Sequence, residues 1–164
     1  MKATAWVIDI AEGFYGAVGE FELIHILPDN PQLFKIPKTP EYCQQVFIWQ
    51  NRIIPVLNPV TKLLNMKEQG KIIAIFAYKP SKTNYIEYGA LFINNTPHRI
   101  EVSDEQAVPL PTVLKTWSPY IKCCFQETIT QNIIPILKIA QLFEAQDLPK
   151  ETDSVAMIKE YRSN

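Results

Sequence analysis

The sequence contains few of the residues on which common enzyme chemistries depend. It has two histidines and three cysteines among 164 residues. Cys123 and Cys124 are adjacent and Cys43 is remote, so the chain offers neither a Cys-x-x-Cys metal pair nor a disulfide framework. No Gly-x-Ser-x-Gly nucleophile motif occurs, and we interpret His25 and His98 as structural or surface residues. We therefore expect no catalytic residue, no metal and no cofactor.

Charge imbalance and long apolar runs are also lacking. The net charge is −1, which gives no electrostatic footprint for nucleic acid. The longest wholly apolar run, 72–78, is far shorter than the ~20 residues of a membrane-spanning helix. No secretory leader is visible before Asp9, so we expect a reduced cytoplasmic protein.

Proline is plentiful, and it marks a phrase that occurs twice. Gln-Asn-Arg-Ile-Ile-Pro-Val-Leu at 50–57 returns as Gln-Asn-Ile-Ile-Pro-Ile-Leu at 131–137. In each copy Gln-Asn supplies a turn and the β-branched run supplies a strand. Pro55 and Pro135 lack the N–H of a strand residue, so each belongs at a sheet edge, bulge or corner. A repeat of this length predicts two similar sub-domains.

The patterning predicts a mainly β protein with few helices. The run 72–78 is predicted as a central strand that is buried on both faces. Asn58 and Pro59 form a helix start, with a short helix through Leu64. The remaining predicted strands are 5–10, 21–27, 46–49, 53–57, 85–93, 98–102, 121–130 and 133–137. About ten short strands in two related halves favour a pair of small β-barrels.

Several of these segments resemble the CheW-like domain family, the bacterial chemotaxis adaptors that link receptors to a histidine kinase. The resemblance begins with Ile-Pro-Lys-Thr-Pro-Glu-Tyr at 36–42, followed by Val46 and by Arg-Ile-Ile-Pro-Val-Leu at 52–57. In the second half, Gly-Ala-Leu-Phe-Ile-Asn at 89–94 and the phrase at 133–137 are similar to the family as well. Together they cover roughly residues 4 to 146.

The resemblance implies a single CheW-like domain over residues 1–148, built from two five-stranded SH3-like barrels. The first barrel is expected at roughly 4–66 and the second at roughly 70–128. A late strand within 131–146 is available to close the first barrel, because chain order need not equal barrel membership. Residues 149–164 are expected to form a polar tail or a terminal helix.

The chain departs from the family at the positions that belong to its receptor-binding surface. Gln45 stands where a glycine is usual, and Trp49-Gln50-Asn51 stands where Leu-Arg-Gly is usual. Asn51 can hold the turn conformation of that glycine, but Gln50 does not supply the charge of the arginine. Arg52 is a partial substitute. We predict partner binding by Gln45, Trp49, Gln50, Asn51 and Arg52. For Trp49 the patterning leaves two alternatives open, a place in the barrel core or on the partner-binding face.

The implied function is that of a non-catalytic signalling adaptor. Its partners would be a CheA-type histidine kinase and a methyl-accepting chemoreceptor, in chemotaxis or in twitching motility driven by type IV pili. It would work in the cytoplasm at membrane-associated receptor arrays, without direct membrane insertion and without nucleic acid. The alternative is a stand-alone β-barrel module that binds single-stranded nucleic acid, against which the near-neutral charge argues.

Overall fold

The computed structural model describes residues 1–144, which form two six-stranded sheets and a few short helices. In chain order the strands are β1 (Lys2–Ala11), β2 (Phe14–Gly19), β3 (Leu23–Leu27), β4 (Phe34–Lys35), β5 (Gln45–Trp49), β6 (Arg52–Leu57), β7 (Ile72–Tyr78), β8 (Glu87–Ile93), β9 (His98–Ser103), β10 (Ala107–Val108), β11 (Ile121–Gln126) and β12 (Ile133–Leu137). The α-helices are α1 (Pro59–Leu64) and α2 (Ile139–Phe143), and single-turn or irregular 3₁₀ segments cover Glu41–Cys43, Asp104–Gln106 and Thr112–Tyr120.

The two sheets do not follow one another along the chain. The terminal sheet has the order β10-β11-β12-β2-β1-β9, and the middle sheet has the order β3-β7-β8-β6-β5-β4. Each sheet carries one two-residue edge strand, β10 or β4, beyond the five that were predicted. The prediction of a mainly β fold with two small barrel-like sheets is confirmed.

The membership of the sheets corrects the predicted barrel ranges of 4–66 and 70–128. One sheet is contiguous and runs from Leu23 to Ile93, whereas the other combines both ends of the described chain. Within the predicted range 131–146, β12 lies parallel to β2, with Ile136 opposite Ala17. The expected tail at 149–164 lies outside the described residues. The ranges were wrong because the late strands β9 and β12 pair with the early strands β1 and β2, and local patterning carries no signal for such distant pairing.

Alternate residues of the inner strands face different cores. Ile8 and Ile10 of β1 point into a core that the two sheets share, where they meet Phe76 of β7. Val7, which precedes Ile8, belongs to a core confined to the terminal sheet, and Ile75, which precedes Phe76, belongs to one confined to the middle sheet. Successive residues of a strand point to opposite faces, so these strands are buried on both faces at their centres. The prediction that 72–78 is buried on both faces is confirmed for its central residues.

The repeated phrase occupies equivalent places in the two sheets. Pro55 lies in β6, which is antiparallel to β5 and parallel to β8. Pro135 lies in β12, which is antiparallel to β11 and parallel to β2. Each strand is followed at once by a short helix, α1 or α2. The two copies therefore share strand pairing as well as sequence, as expected of a duplicated unit.

The residue before each helix is tied to a tyrosine of its own unit. The backbone N–H of Asn58 donates to the carbonyl oxygen of Tyr42 at 2.7 Å, and that of Lys138 donates to the carbonyl oxygen of Tyr120 at 2.8 Å. One side chain then joins the two units. The Lys62 ammonium of α1 lies 4.4 Å from the ring centroid of Tyr42 and 5.2 Å from that of Tyr120. It also donates to the carbonyl oxygen of Leu142 in α2 at 3.2 Å. Lys62 is thus one of several polar links between the two halves, another being the bond that the Trp117 indole N–H donates to the carbonyl oxygen of Leu63.

Replacing this link tests its energetic weight. Lys62→Met keeps an unbranched apolar stem but removes the cation–π contacts and the bond to α2. We expect it to lower the free energy of unfolding by about 1–2 kcal/mol. The matched change Lys67→Met, at an exposed lysine, should alter it by less than about 0.5 kcal/mol. Urea unfolding of both variants provides the measurement, and equal effects would contradict a linking role for Lys62.

Candidate functional site

The tip of the β5–β6 hairpin is a two-residue turn in an uncommon backbone conformation. Gln50 and Asn51 have φ angles of 48° and 61°, so both are in the left-handed region. Trp49 and Arg52 face each other across the hairpin and close the turn. Two consecutive positive φ angles match the twist of a hairpin, and asparagine tolerates this conformation better than most residues. The predicted turn role of Asn51 is therefore visible in the backbone.

Four of the five predicted partner-binding residues are gathered at this tip. Gln50, Asn51 and Arg52 are exposed, and Trp49 is half-buried. Gln45 lies at the other end of β5, between Lys35 and Val56 of the neighbouring strands. Four strand residues span roughly 13 Å, so Gln45 is separate from the tip. The structure thus provides a compact group of four and a remote fifth residue.

Trp49 is half-buried, which is intermediate between the core position and the exposed position that the sequence left open. Its ring packs against the core of the middle sheet, next to Phe47, which is 1% exposed. Its outer part contacts two further rings. The His25 ring is stacked on it at a centroid distance of 6.1 Å and an angle of 26°, and the Tyr88 ring meets it edge-on at 6.0 Å.

His25 and Tyr88 also lie at the hairpin tip, although the sequence did not predict them as site residues. They come from β3 and β8, neither of which neighbours β5 in the sheet. The guanidinium of Arg52 lies over the Tyr88 ring, 4.8 Å from its centroid. We call the group of His25, Trp49, Arg52 and Tyr88 the turn cluster. It combines a cation with three rings and lies beside the exposed amides of the turn, a composition common at the centres of protein–protein interfaces.

A second surface feature lies where the two sheets meet. An open groove of about 430 Å³ receives side chains from the end of β7, from β11 and from the start of α2. Its lining includes Lys79, Lys122 and Lys138, together with Phe21 and Ile86. The last two are 86% and 59% exposed, which is unusual for apolar residues next to a groove. Local patterning did not predict this groove, because its walls come from distant segments of the chain.

Tyr78 forms part of the groove wall and has an altered acidity. Burial raises the pKa of its phenol above the ordinary value, and the negative charge of Glu87 raises it further. The hydroxyl donates to the Glu87 carboxylate at 3.2 Å, and the ring stacks on Phe143 at 5.2 Å. Because the neutral phenol is favoured, Tyr78 serves here as a hydrogen-bond donor and as packing surface, rather than as a base.

The groups with the greatest chemical reactivity do not converge. His25 and His98 lie in different sheets, and Cys43 and Cys124 are buried while Cys123 is exposed. Within residues 1–144, no three side chains of His, Cys, Asp or Glu are placed to hold a metal ion. In the same part of the chain, no helix has the length and apolar composition needed to cross a bilayer.

Glycine substitutions at two glutamines test the geometry of the hairpin. Gln50→Gly should raise the free energy of unfolding by about 0.5–1 kcal/mol, because glycine adopts a positive φ without steric cost. Gln45→Gly should lower it by a similar amount, because glycine weakens an extended strand. Thermal unfolding of the two variants gives the comparison. Shifts of the same sign would contradict the left-handed turn at Gln50.

We compared the sequence and the structure with known proteins to identify the fold. No protein-family model and no curated protein sequence matches the chain. Its structure is similar to the crystal structure of the scaffolding protein TtCheW from Thermoanaerobacter tengcongensis, with a TM-score of 0.70 and 19% sequence identity. The match covers 92% of each chain. The protein therefore has a CheW-like fold.

Proposed function

We propose that the protein is a non-catalytic signalling adaptor that links chemoreceptors to a CheA-type histidine kinase. The observation that carries the proposal is the fold likeness to a scaffolding protein over 92% of both chains. The family resemblance of residues 36–42 and 52–57 supports the same function independently of the coordinates. The pathway is chemotaxis or type IV pilus twitching motility, and the place of action is the cytoplasmic side of a receptor array.

The surface of the molecule supports an adaptor better than an enzyme. Two separate features are suited to macromolecular contact, the turn cluster and the lysine-lined groove. The first belongs to the middle sheet, and the second draws on both sheets. An adaptor works by holding two partners at a fixed spacing, which requires a rigid body between its surfaces. The shared core provides that rigidity, since packed interiors resist deformation.

The turn is the surface that we assign to partner capture. Trp49, Gln50, Asn51 and Arg52 act there together, and Gln45 contributes at the far end of β5. The family arginine at the position of Gln50 is missing. Arg52 supplies a positive charge two residues later, at the start of β6. Its guanidinium is held by the Tyr88 ring, which gives it a defined direction.

Affinity capture from the source cell tests the proposal. The tagged full-length protein should enrich a histidine kinase and a chemoreceptor, as identified by mass spectrometry. Arg52→Glu should reduce their recovery by about tenfold, because charge reversal at an interface centre costs more than 1.4 kcal/mol. Lys67→Glu provides a control with the same change of charge at an exposed site, and it should leave recovery unchanged. Failure of the wild-type protein to enrich either partner would contradict the proposal.

A further inference from the structure

We propose that the turn cluster is a docking site for a carboxylate side chain of a partner protein, with Arg52 as its anchor. The inference rests on the proposed function in that it takes this hairpin tip as a partner-binding surface. It adds the chemistry of the segment that binds, namely an aspartate or glutamate flanked by an apolar side chain.

The chain contains its own example of such an arrangement with the acid in place. Arg99 lies over the Trp6 ring, 5.7 Å from its centroid, and its guanidinium pairs with the carboxylate of Glu20. The indole N–H of Trp6 donates to the backbone carbonyl oxygen of Glu20 at 3.1 Å. An arginine on an aromatic face, with an indole donor beside it, therefore binds a glutamate residue in this fold.

Arg52 repeats the arrangement without the acid. Its guanidinium lies 4.8 Å from the centroid of the Tyr88 ring. Among residues 1–144, the salt bridges are made by Arg99, Lys2 and the N-terminus, and none by Arg52. It is also the only charged residue between Tyr42 and Asn58. A guanidinium presents donors in a planar fork that matches a carboxylate, so Arg52 offers a charged, exposed and restrained partner for one.

The rings beside Arg52 complete the site. Among the described residues, the indole N–H groups of Trp6 and Trp117 donate to backbone carbonyl oxygens, whereas that of Trp49 has no partner. The rings of Trp49 and His25, stacked at a centroid distance of 6.1 Å, place aromatic carbon atoms next to this donor. A carboxylate on Arg52 with an apolar neighbour on these rings would engage every part of the cluster. Such a combination of cation, donor and aromatic face is selective for acidic, partly apolar segments.

A pair of peptides tests the assignment on the full-length protein. The probes are acetyl-Ala-Leu-Glu-Leu-Ala-amide and the same peptide with glutamine at the centre. The readout is the indole N–H signal of Trp49 in ¹⁵N-correlated NMR spectra. The corresponding signals of Trp6 and Trp117 serve as internal references, because their donors are already occupied. Inorganic phosphate is titrated separately as a competing anion.

We expect the glutamate peptide to shift the Trp49 signal saturably, and the glutamine peptide to bind at least about tenfold more weakly. Arg52→Gln should weaken the glutamate peptide by about the same factor. Arg52→Lys should also weaken it, since lysine keeps the charge but loses the planar fork. Arg99→Gln is the matched control, another arginine on an aromatic face, and it should leave peptide affinity within about twofold.

Three results would overturn the inference. They are the absence of a saturable Trp49 shift, equal affinity for the two peptides, and tighter binding of phosphate than of the glutamate peptide. Failure of the proposed function is a separate outcome. If Arg52-dependent binding of the glutamate peptide occurs while no kinase or receptor is captured from cells, the docking chemistry stands and the adaptor role fails. If kinase and receptor are captured equally by the wild type and by Arg52→Gln, the adaptor role stands and the inference fails.

Discussion

The shared apolar core between the two sheets is the constraint on which the rest of the molecule depends. Ile8 and Ile10 from the terminal sheet pack in one cluster with Phe76, Leu91 and other residues from the middle sheet. Neither sheet could bury both faces of its inner strands without the other, because a small domain on its own buries too small a fraction of its surface. The core therefore makes two barrel-like units into one body. It also fixes the positions of the groove and of the hairpin tip relative to each other.

A duplicated unit accounts for the similar arrangement of the two halves that form this core. The strands that carry Pro55 and Pro135 each pair with an antiparallel and a parallel neighbour, and each leads into a helix of about one turn. Equivalent backbone bonds from Asn58 and Lys138 fasten these helices to tyrosine carbonyls. The halves differ where function is assigned. Only the copy at 50–57 has an arginine within the phrase, so the proposed docking chemistry is confined to one copy.

Local structure could be predicted from the sequence, whereas the assembly of distant segments could not. Strand β7 was predictable because a short, unbroken apolar run is typical of a strand that is buried on both faces. Helix α1 was predictable because Asn58 and Pro59 mark a helix start. The turn at Gln50 and Asn51 was predictable from the preference of asparagine for positive φ. Sheet membership was not, because β9 and β12 pair with β1 and β2, which lie near the opposite end of the described chain. For the same reason, only two of the four residues of the turn cluster were predicted. Trp49 and Arg52 are local to the hairpin, but His25 and Tyr88 arrive from other strands.

The central claim is that both sheets fold as one rigid unit around their common core. Native-state hydrogen exchange measures this directly, because it gives an opening free energy for each protected amide. We predict that amides in the centres of β1 and β8 exchange with the same opening free energy, and that this value equals the free energy of global unfolding. Two distinct values, with the terminal sheet opening while the middle sheet stays protected, would contradict it.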